Sequence, residues 1–216
     1  MSYVFKQVLL PSSKHKLKCP YAMTPQYITV HNTANDASAA NEVAYHNRND
    51  NQVSYHVAID DKEVIQCVPF NKAAWHCGDG ANGTGNRKSI GIEICYSKSG
   101  GNRYKQAEEN AVQYIAKLLH QYGWGIDRIK KHQDWSGKYC PHRILSEDRW
   151  ESFKQRVQVV LNKLKQPSAS AKIEFNEVDN ATVWRVQSGK FKTREQAIEA
   201  AEASGFSYAT IVGTTK

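Results

Sequence analysis

The chain of 216 residues lacks an apolar run approaching the roughly 20 residues that a membrane-spanning helix needs. This absence excludes a protein built on membrane-spanning helices, and we expect no insertion into a membrane. The start, Met1 to Gln7, also lacks the charged-then-apolar layout of a secretory signal. We therefore expect synthesis in the cytoplasm without a signal peptide.

Cysteines are few and do not suggest a disulfide framework. There are five, an odd count at scattered positions, which is a poor basis for stable pairing. The sequence leaves open whether one pair of cysteines forms a disulfide after release from the cell.

Signatures of nucleic-acid binding are also missing, although the net charge of +8 attracts polyanions. The excess lies in residues 1–166, which hold 23 Lys/Arg against 15 Asp/Glu, while residues 167–216 hold six of each. No helix-turn-helix, zinc-finger or RNA-binding motif accompanies it. Another anionic polymer would explain the charge equally well, so we do not expect nucleic acid as a partner.

Two further absences narrow the chemistry. No pair of carboxylates is placed for glycoside hydrolysis. The glycine run from Gly78 to Gly85 lacks the Gly-Lys-Ser spacing of a phosphate-binding loop, and it predicts a flexible loop instead.

Strand and helix patterns alternate along the first 165 residues, which predicts an α/β domain with a mixed sheet flanked by helices. Asp60-Asp61 predicts a tight hairpin between two strands, Ser38 a helix cap, and Gly123 a helix end. Glu147 and Asp148 are expected in the first turn of the last helix. The predicted strands are 27–30, 53–59, 63–68 and 89–96, and the predicted helices are 38–48, 105–122 and 147–164.

The small, polar and proline-containing segment 166–173 predicts a linker, which separates domain 1–165 from a module at 174–216. The module has a strand pattern at 183–187, a capping box at Thr193 to Gln196 before an Ala-rich helix, and a strand at 208–212. We therefore expect a small βαβ module.

Three potential metal ligands stand out. His31 ends the apolar run 27–30, and His132 and Cys140 lie eight positions apart in a Gly-containing segment. Two imidazoles and a thiolate suit zinc and leave the fourth tetrahedral position open for water, whereas calcium and magnesium prefer oxygen ligands. Glu93 interrupts the apolar run 89–94. This pattern predicts a zinc hydrolase with one Zn2+ per chain and a glutamate base.

A family resemblance supports this interpretation. The chain is similar over residues 1–165 to the type 2 zinc N-acetylmuramoyl-L-alanine amidases, which include phage endolysins, autolysins and peptidoglycan-recognition proteins. The nearest resemblance is to endolysins of Bacillus phages and prophages. The motifs that carry it, in the family's order, are His31-Asn32-Thr33, Tyr55-His56, Trp75-His76, Gly91-Ile92-Glu93 and His132 followed by Lys138-Tyr139-Cys140-Pro141-His142.

The resemblance implies roles for several side chains. It pairs His132 with Cys140 as ligands, in preference to His142, and places Lys138 beside the metal, where it could stabilise an oxyanion. Tyr55 is expected to orient the water or to hydrogen-bond the substrate carbonyl. The alternatives are a solvent-facing strand glutamate at Glu93, an ordinary surface lysine at Lys138 and a packing role for Tyr55.

Trp75, His76 and Asn32 are expected to bind substrate in a groove. For Trp75 the alternative is burial in the core. The tail segment Trp184 to Phe191 resembles the opening of SPOR-type modules, which bind peptidoglycan, but only about half of such a domain is present. The resemblance implies a cell-wall-binding module at 174–216, and a structural appendage is the alternative. Pairing with a second copy or docking on the first domain would help to stabilise so small a module.

The implied function is hydrolysis of the amide between N-acetylmuramic acid and L-alanine in Gram-positive, Bacillus-like peptidoglycan. A phage or prophage endolysin, released when a holin opens the membrane, is the expected role, and a host autolysin is the alternative. A non-catalytic peptidoglycan-recognition protein is a different class. Its expected mark is loss of the metal-binding cysteine, whereas Cys140 is present.

Overall fold

A six-stranded mixed sheet forms the centre of residues 3–166 in the computed structural model of the chain, which describes these residues together with 174–176 and 185–187. The strand order is β1-β4-β3-β5-β2-β6, and only the β3–β4 pair is antiparallel. The strands are β1 Val4–Gln7, β2 Tyr27–Asn32, β3 Val57–Ile59, β4 Glu63–Gln66, β5 Ser89–Ile94 and β6 Ile129–Lys131. The expected mixed sheet flanked by helices is confirmed.

Seven α-helices accompany the sheet in this described part of the chain. Two are long, α4 and α7, and they pack against each other. The helices are α1 His15–Lys18, α2 Ala39–Arg48, α3 Thr84–Lys88, α4 Gly101–Tyr122, α5 Gln133–Ser136, α6 His142–Ser146 and α7 Trp150–Lys165. None of the helices in the described residues is long and apolar enough to cross a bilayer.

The central strands β2 and β5 present different residues on their two faces because side chains alternate along a strand. Ile90, Ile92 and Ile94 are fully buried on one face of β5, and α4 packs against β3 and β5. The alternate positions carry Gly91 and Glu93 on the other face. The sheet therefore has an apolar core side and a side that is free to carry functional groups.

Three local predictions are confirmed. The Ser38 hydroxyl accepts a hydrogen bond from the Asn41 amide at 3.2 Å and caps α2. The Asp60 carboxylate accepts from the amides of Lys62 and Glu63 at 2.8 and 2.7 Å, which closes the β3–β4 hairpin. Gly123 ends α4 with a φ of 67°, in the left-handed region that suits glycine.

Other expectations need correction. The last helix begins at Trp150, because Asp148 takes a φ of 50° and Glu147 lies at the end of α6, so the acid in its first turn is Glu151. The strand expected at 53–59 covers only Val57–Ile59.

The glycine run also differs from the flexible loop that the sequence predicted. It leads into α3, and the Asp79 carboxylate accepts from the amides of Gly85 and Asn86 at 2.6 and 3.1 Å.

The chain divides into two units, Met1–Lys165 and Gln166–Lys216. In the second unit, β7 Glu174–Asn176 pairs antiparallel with β8 Arg185–Gln187. The expected tail helix, the strand at 208–212 and most of the linker lie outside the described residues.

Candidate functional site

His31 and His132 meet because of the register between two parallel strands. Val30 of β2 is paired with Lys131 of β6. His31 directly follows Val30, and His132 directly follows Lys131. Their Nδ1 atoms lie 3.1 Å apart. Two residues 101 positions apart therefore become neighbours at the carboxyl ends of parallel strands, where ligands of α/β sheets commonly bind.

A short turn brings Cys140 next to these two histidines. Helix α5 ends at Gly137, whose φ of 78° suits glycine, and the Gln133 amide donates to the Cys140 carbonyl oxygen at 3.2 Å. The Cys140 Sγ lies 3.8 Å from the His31 Nδ1. One donor atom from each of His31, His132 and Cys140 lies within 4.8 Å of the others, so the group could hold a metal ion.

The electrostatics of this group fit a zinc ion. Burial, followed by the neighbouring imidazoles, holds the pKa of His31 well below its ordinary value, and burial with Lys138 lowers the pKa of His132. Both rings therefore keep a free lone pair at neutral pH. Burial raises the pKa of the Cys140 thiol to about 12, so a cation must displace its proton, as in metal-coupled deprotonation. Nitrogen and sulfur donors suit zinc.

Glu93 is the register partner of His31 on the adjacent parallel strand, so both side chains leave the same face of the sheet. Its Oε2 atom is buried and has no hydrogen-bond partner among the described residues. Burial, with a contribution from Glu42 and against the opposing charge of Lys138, raises the pKa of Glu93 to about 8. A carboxyl group with this environment is suited to exchange protons near neutral pH.

A cleft of about 540 Å³ opens beside this group. Lys138 is exposed at its edge, whereas Tyr55 is buried and its hydroxyl has no hydrogen-bond partner among the described residues. The cleft is lined by Asn32, Thr33, Ala34, Glu42, Tyr45, His46, Asn49, Asn51, Val53, Tyr55, Glu93, Lys138, Tyr139, Cys140 and His142. The cysteine, the carboxylate, the lysine and the tyrosine expected from the sequence are thus brought together.

The three expected substrate-binding residues are placed differently from one another. Asn32 lines the cleft, but its amide oxygen accepts from the Arg143 amide at 3.0 Å and its amide nitrogen donates to the Tyr104 hydroxyl at 3.3 Å. Trp75 is outside the cleft lining, and its Nε1 donates to the Leu17 carbonyl oxygen at 3.2 Å. His76 is buried beside His31, away from the cleft lining. The placement of Trp75 and His76 gives no support to groove binding.

Helix α2 contributes cleft residues that sequence reasoning missed. Glu42, Tyr45 and His46 follow the i, i+3, i+4 spacing of one helical face, and Asn49 lies directly after the end of the helix. His46 is buried, which lowers its pKa to about 4. The spacing was visible in the sequence, but polar residues on a helix face ordinarily indicate solvent exposure, so nothing marked this face as part of a site.

Comparisons with known proteins point in one direction. Residues 21–143 match the family model described as N-acetylmuramoyl-L-alanine amidase. The chain is 56% identical over 192 residues to the N-acetylmuramoyl-L-alanine amidase CwlA of Bacillus subtilis strain 168, covering 86% of this chain and 71% of that protein. For the next two curated relatives, the chain spans 51% and 60% of their lengths.

Two solved structures are also similar to this chain. The structure of PlyL has 56% sequence identity and a TM-score of 0.70, covering 71% of this chain and 96% of that one. A mutant endolysin from Bacillus subtilis has 42% identity and a TM-score of 0.65, covering 72% of this chain and 99% of that one. The similarity therefore spans nearly the whole of both solved chains.

Proposed function

The chain belongs to the N-acetylmuramoyl-L-alanine amidase family and is a peptidoglycan hydrolase, and we propose that it cleaves the amide between the lactyl group of N-acetylmuramic acid and L-alanine. The observation that carries the proposal is the convergence of His31, His132 and Cys140 with Glu93 at one cleft. Imidazole, thiol and carboxyl groups in this arrangement fit metal-assisted amide hydrolysis.

His31, His132 and Cys140 would hold one zinc ion per chain. When bound, zinc lowers the pKa of a water molecule to about 7 and polarises a carbonyl group. The two imidazoles enter this role neutral because burial lowers their pKa values, and Cys140 enters it as a thiolate after losing its proton.

Glu93 acts as the general base in this proposal. In its ionised form it takes a proton from the water that attacks the amide carbon, and it later delivers that proton to the nitrogen of L-alanine as the carbon–nitrogen bond breaks. The unpartnered Oε2 atom supports the assignment, because a buried carboxylate oxygen without a protein partner is available to such a water.

Lys138 and Tyr55 would act on the carbonyl oxygen of the same amide. The exposed Lys138 ammonium at the cleft edge stabilises negative charge that develops there, and the Tyr55 hydroxyl donates a hydrogen bond. Burial keeps the pKa of Tyr55 well above its ordinary value, so its hydroxyl remains a donor. Asn32 holds the cleft wall through its bonds to Arg143 and Tyr104.

We further infer that the protein acts on the Gram-positive wall as an endolysin, with residues 174–216 serving as a wall-binding module. The positive charge of residues 1–166 supports attraction to an anionic wall. Release through a holin and pairing of two tails remain predictions.

Product analysis on purified Bacillus peptidoglycan tests the function. Untreated, metal-stripped and zinc-restored protein are compared with an amidase of known activity on the same wall. We expect new L-alanine amino termini without new reducing sugars, lost on stripping and restored by zinc. No new termini under any metal condition would instead establish the binding-only alternative.

A further inference from the structure

His76 lies on the side of His31 that faces away from Cys140. The His31 Nε2 is 2.9 Å from the His76 Nδ1, and the His76 Nε2 is 3.1 Å from the carbonyl oxygen of Ser89. Both rings are buried, His31 at 2% and His76 at 6% exposure. The three groups form a continuous chain of hydrogen bonds that starts at the backbone of β5 and ends at the candidate metal group.

The direction in which these hydrogen bonds are donated follows from the Ser89 end. A backbone carbonyl oxygen can only accept, so the His76 Nε2 must carry the hydrogen that it donates to Ser89. The His76 ring is buried and its ring neighbours are the imidazoles of His31 and His56, so a positive charge on it would be buried without an anion beside it. The ring is therefore neutral and its Nδ1 has no hydrogen. The His31 Nε2 must then be the donor across the 2.9 Å contact. In a neutral ring this leaves the His31 Nδ1 as the nitrogen with the free lone pair.

We propose that His76 is a positioning residue that fixes His31 in its Nε2–H tautomer and so presents the Nδ1 lone pair toward His132 and Cys140. The inference rests on the proposed function, because it assumes that these three residues hold the metal. A hydrogen bond to the far nitrogen of a ligating histidine is a general device for setting its tautomer and orientation.

The backbone around His76 holds its ring in place. A Cβ atom on Gly91 would lie 2.7 Å from the His76 Nδ1, so a glycine is needed for the ring to lie against β5. The Asn86 Oδ1 accepts from the amides of His76 and Cys77 at 2.9 and 2.8 Å. The Gly91 amide is in turn held by the His56 Nδ1 at 2.9 Å. These contacts leave the His76 ring little freedom to turn.

Cys77 offers a competing arrangement. Its Sγ lies 3.1 Å from the His76 Nδ1, and His31, His76 and Cys77 form a second group of possible metal ligands. A metal there would need a bare Nε2 on His31. A neutral imidazole has only one bare nitrogen, so one ring cannot serve both groups without losing its last proton. The tautomer of His31 therefore decides between the two sides.

Nitrogen-15 NMR of the imidazoles in the metal-free wild-type protein reads that tautomer directly. We expect a protonated Nε2 and a bare Nδ1 on His31, with the same pattern on His76. A protonated Nδ1 on His31 would overturn the inference, and so would binding of two zinc equivalents. This measurement needs no variant and does not depend on activity.

A matched pair of variants tests the role of His76. Asn and Leu have nearly the same shape, but His76→Asn keeps an acceptor for His31 and His76→Leu does not. Zinc affinity is measured by competition with a chromophoric chelator, and the thermal midpoint of each metal-free variant reports folding separately. We expect His76→Leu to lose about 10- to 100-fold in zinc affinity and His76→Asn to lose about tenfold or less.

Equal or tighter zinc binding by His76→Leu than by His76→Asn, in proteins that both fold, would show that the ring only fills space and would overturn the inference alone. If either variant fails to fold, the wild-type tautomer measurement decides the matter. If the wild-type protein binds no zinc at all, the proposed metal group itself fails, and the inference fails with it.

Discussion

His31 stands between two imidazole–thiol pairs that resemble each other closely in composition and burial. His132 and Cys140 lie on one side, with exposures of 5% and 6%, and His76 and Cys77 lie on the other, with exposures of 6% and 0%. What differs is the surroundings. Cys140 lines the open cleft, whereas the His76 ring is bound to a backbone carbonyl and Cys77 is absent from the cleft lining.

A set of ligand-type residues is not by itself a metal site. On the side of His76 the ring nitrogens are engaged in hydrogen bonds, so the pair supports His31. On the side of Cys140 the donors face one another across a short gap beside a cleft that substrate can enter. The direction of the hydrogen bonds and access to the cleft distinguish a residue that would bind the metal from one that only holds a ligand in place. Burial does not distinguish them.

The largest expected difference comes from removing each thiol in turn. Cys140→Ala should lose more than about 100-fold in zinc affinity and nearly all amide hydrolysis, because direct ligation exceeds the contribution of a supporting contact. Cys77→Ala should lose about tenfold or less. Zinc content after dialysis against a chelator, with turnover on peptidoglycan, measures both. Equal losses in the two variants would erase the distinction between the pairs.

A second substitution separates chemistry from metal binding on the cleft side. Glu93→Gln should lower turnover by about 10²- to 10⁴-fold, because the base is lost, while zinc content stays at one per chain. Turnover and zinc content are measured on the same preparation. Near-normal turnover would show that the base lies elsewhere in the cleft.

Gly91→Ala should act on the supporting side through the ring of His76. The added methyl group would lie within 2.7–2.9 Å of ring atoms, so the ring must move. We expect a stability loss of about 1–3 kcal/mol from overpacking. Zinc affinity should fall by a smaller factor than in His76→Leu. Chemical denaturation and chelator competition check the two effects, and unchanged values for both would mean that the ring adapts at no cost.

The last expected effect depends on pH and leaves stability at neutral pH unchanged, and it concerns two further buried neutral histidines. Burial lowers the pKa of His46 to about 4 and that of His56 also to about 4. Between pH 6.5 and 4 the unfolded chain therefore binds more protons than the folded chain, so stability falls as the pH falls.

Each such histidine contributes up to about 1.4 kcal/mol per pH unit in that window. Urea denaturation of the metal-free protein at several pH values measures the slope, and His46→Gln should reduce it. A slope that this variant leaves unchanged would contradict the assignment of a buried neutral ring.

The sequence identified the cleft-side residues because their types are unusual for their positions. A histidine at the end of an apolar strand, a carboxylate within one and a cysteine after a glycine turn each call for an explanation beyond packing. The family resemblance then implied a role for each of them. The register that joins Val30 to Lys131 was invisible, because β6 has only three residues and two of them are lysines.

The same limits explain what sequence reasoning misplaced. Trp75-His76 carried a recognisable motif, but the sequence does not show on which side of His31 a neighbouring ring will lie. Strand β1 was missed because its four residues are all exposed at the sheet edge. The start of α7 was misjudged because Glu147 and Asp148 resemble a first turn, and only the positive φ of Asp148 shows the break.

The separation between Cys140 and His31 has a mechanical consequence. The two residues are 109 positions apart, and Cys140 belongs to the turn that the Gln133–Cys140 hydrogen bond closes. A cation gripping both would act as a reversible cross-link, tying the middle of the sheet to the turn that leads into the last two helices of the first unit. Cross-links over long loops restrict the unfolded chain most. Loss of such an ion would then remove a stabilising cross-link together with the metal-dependent chemistry.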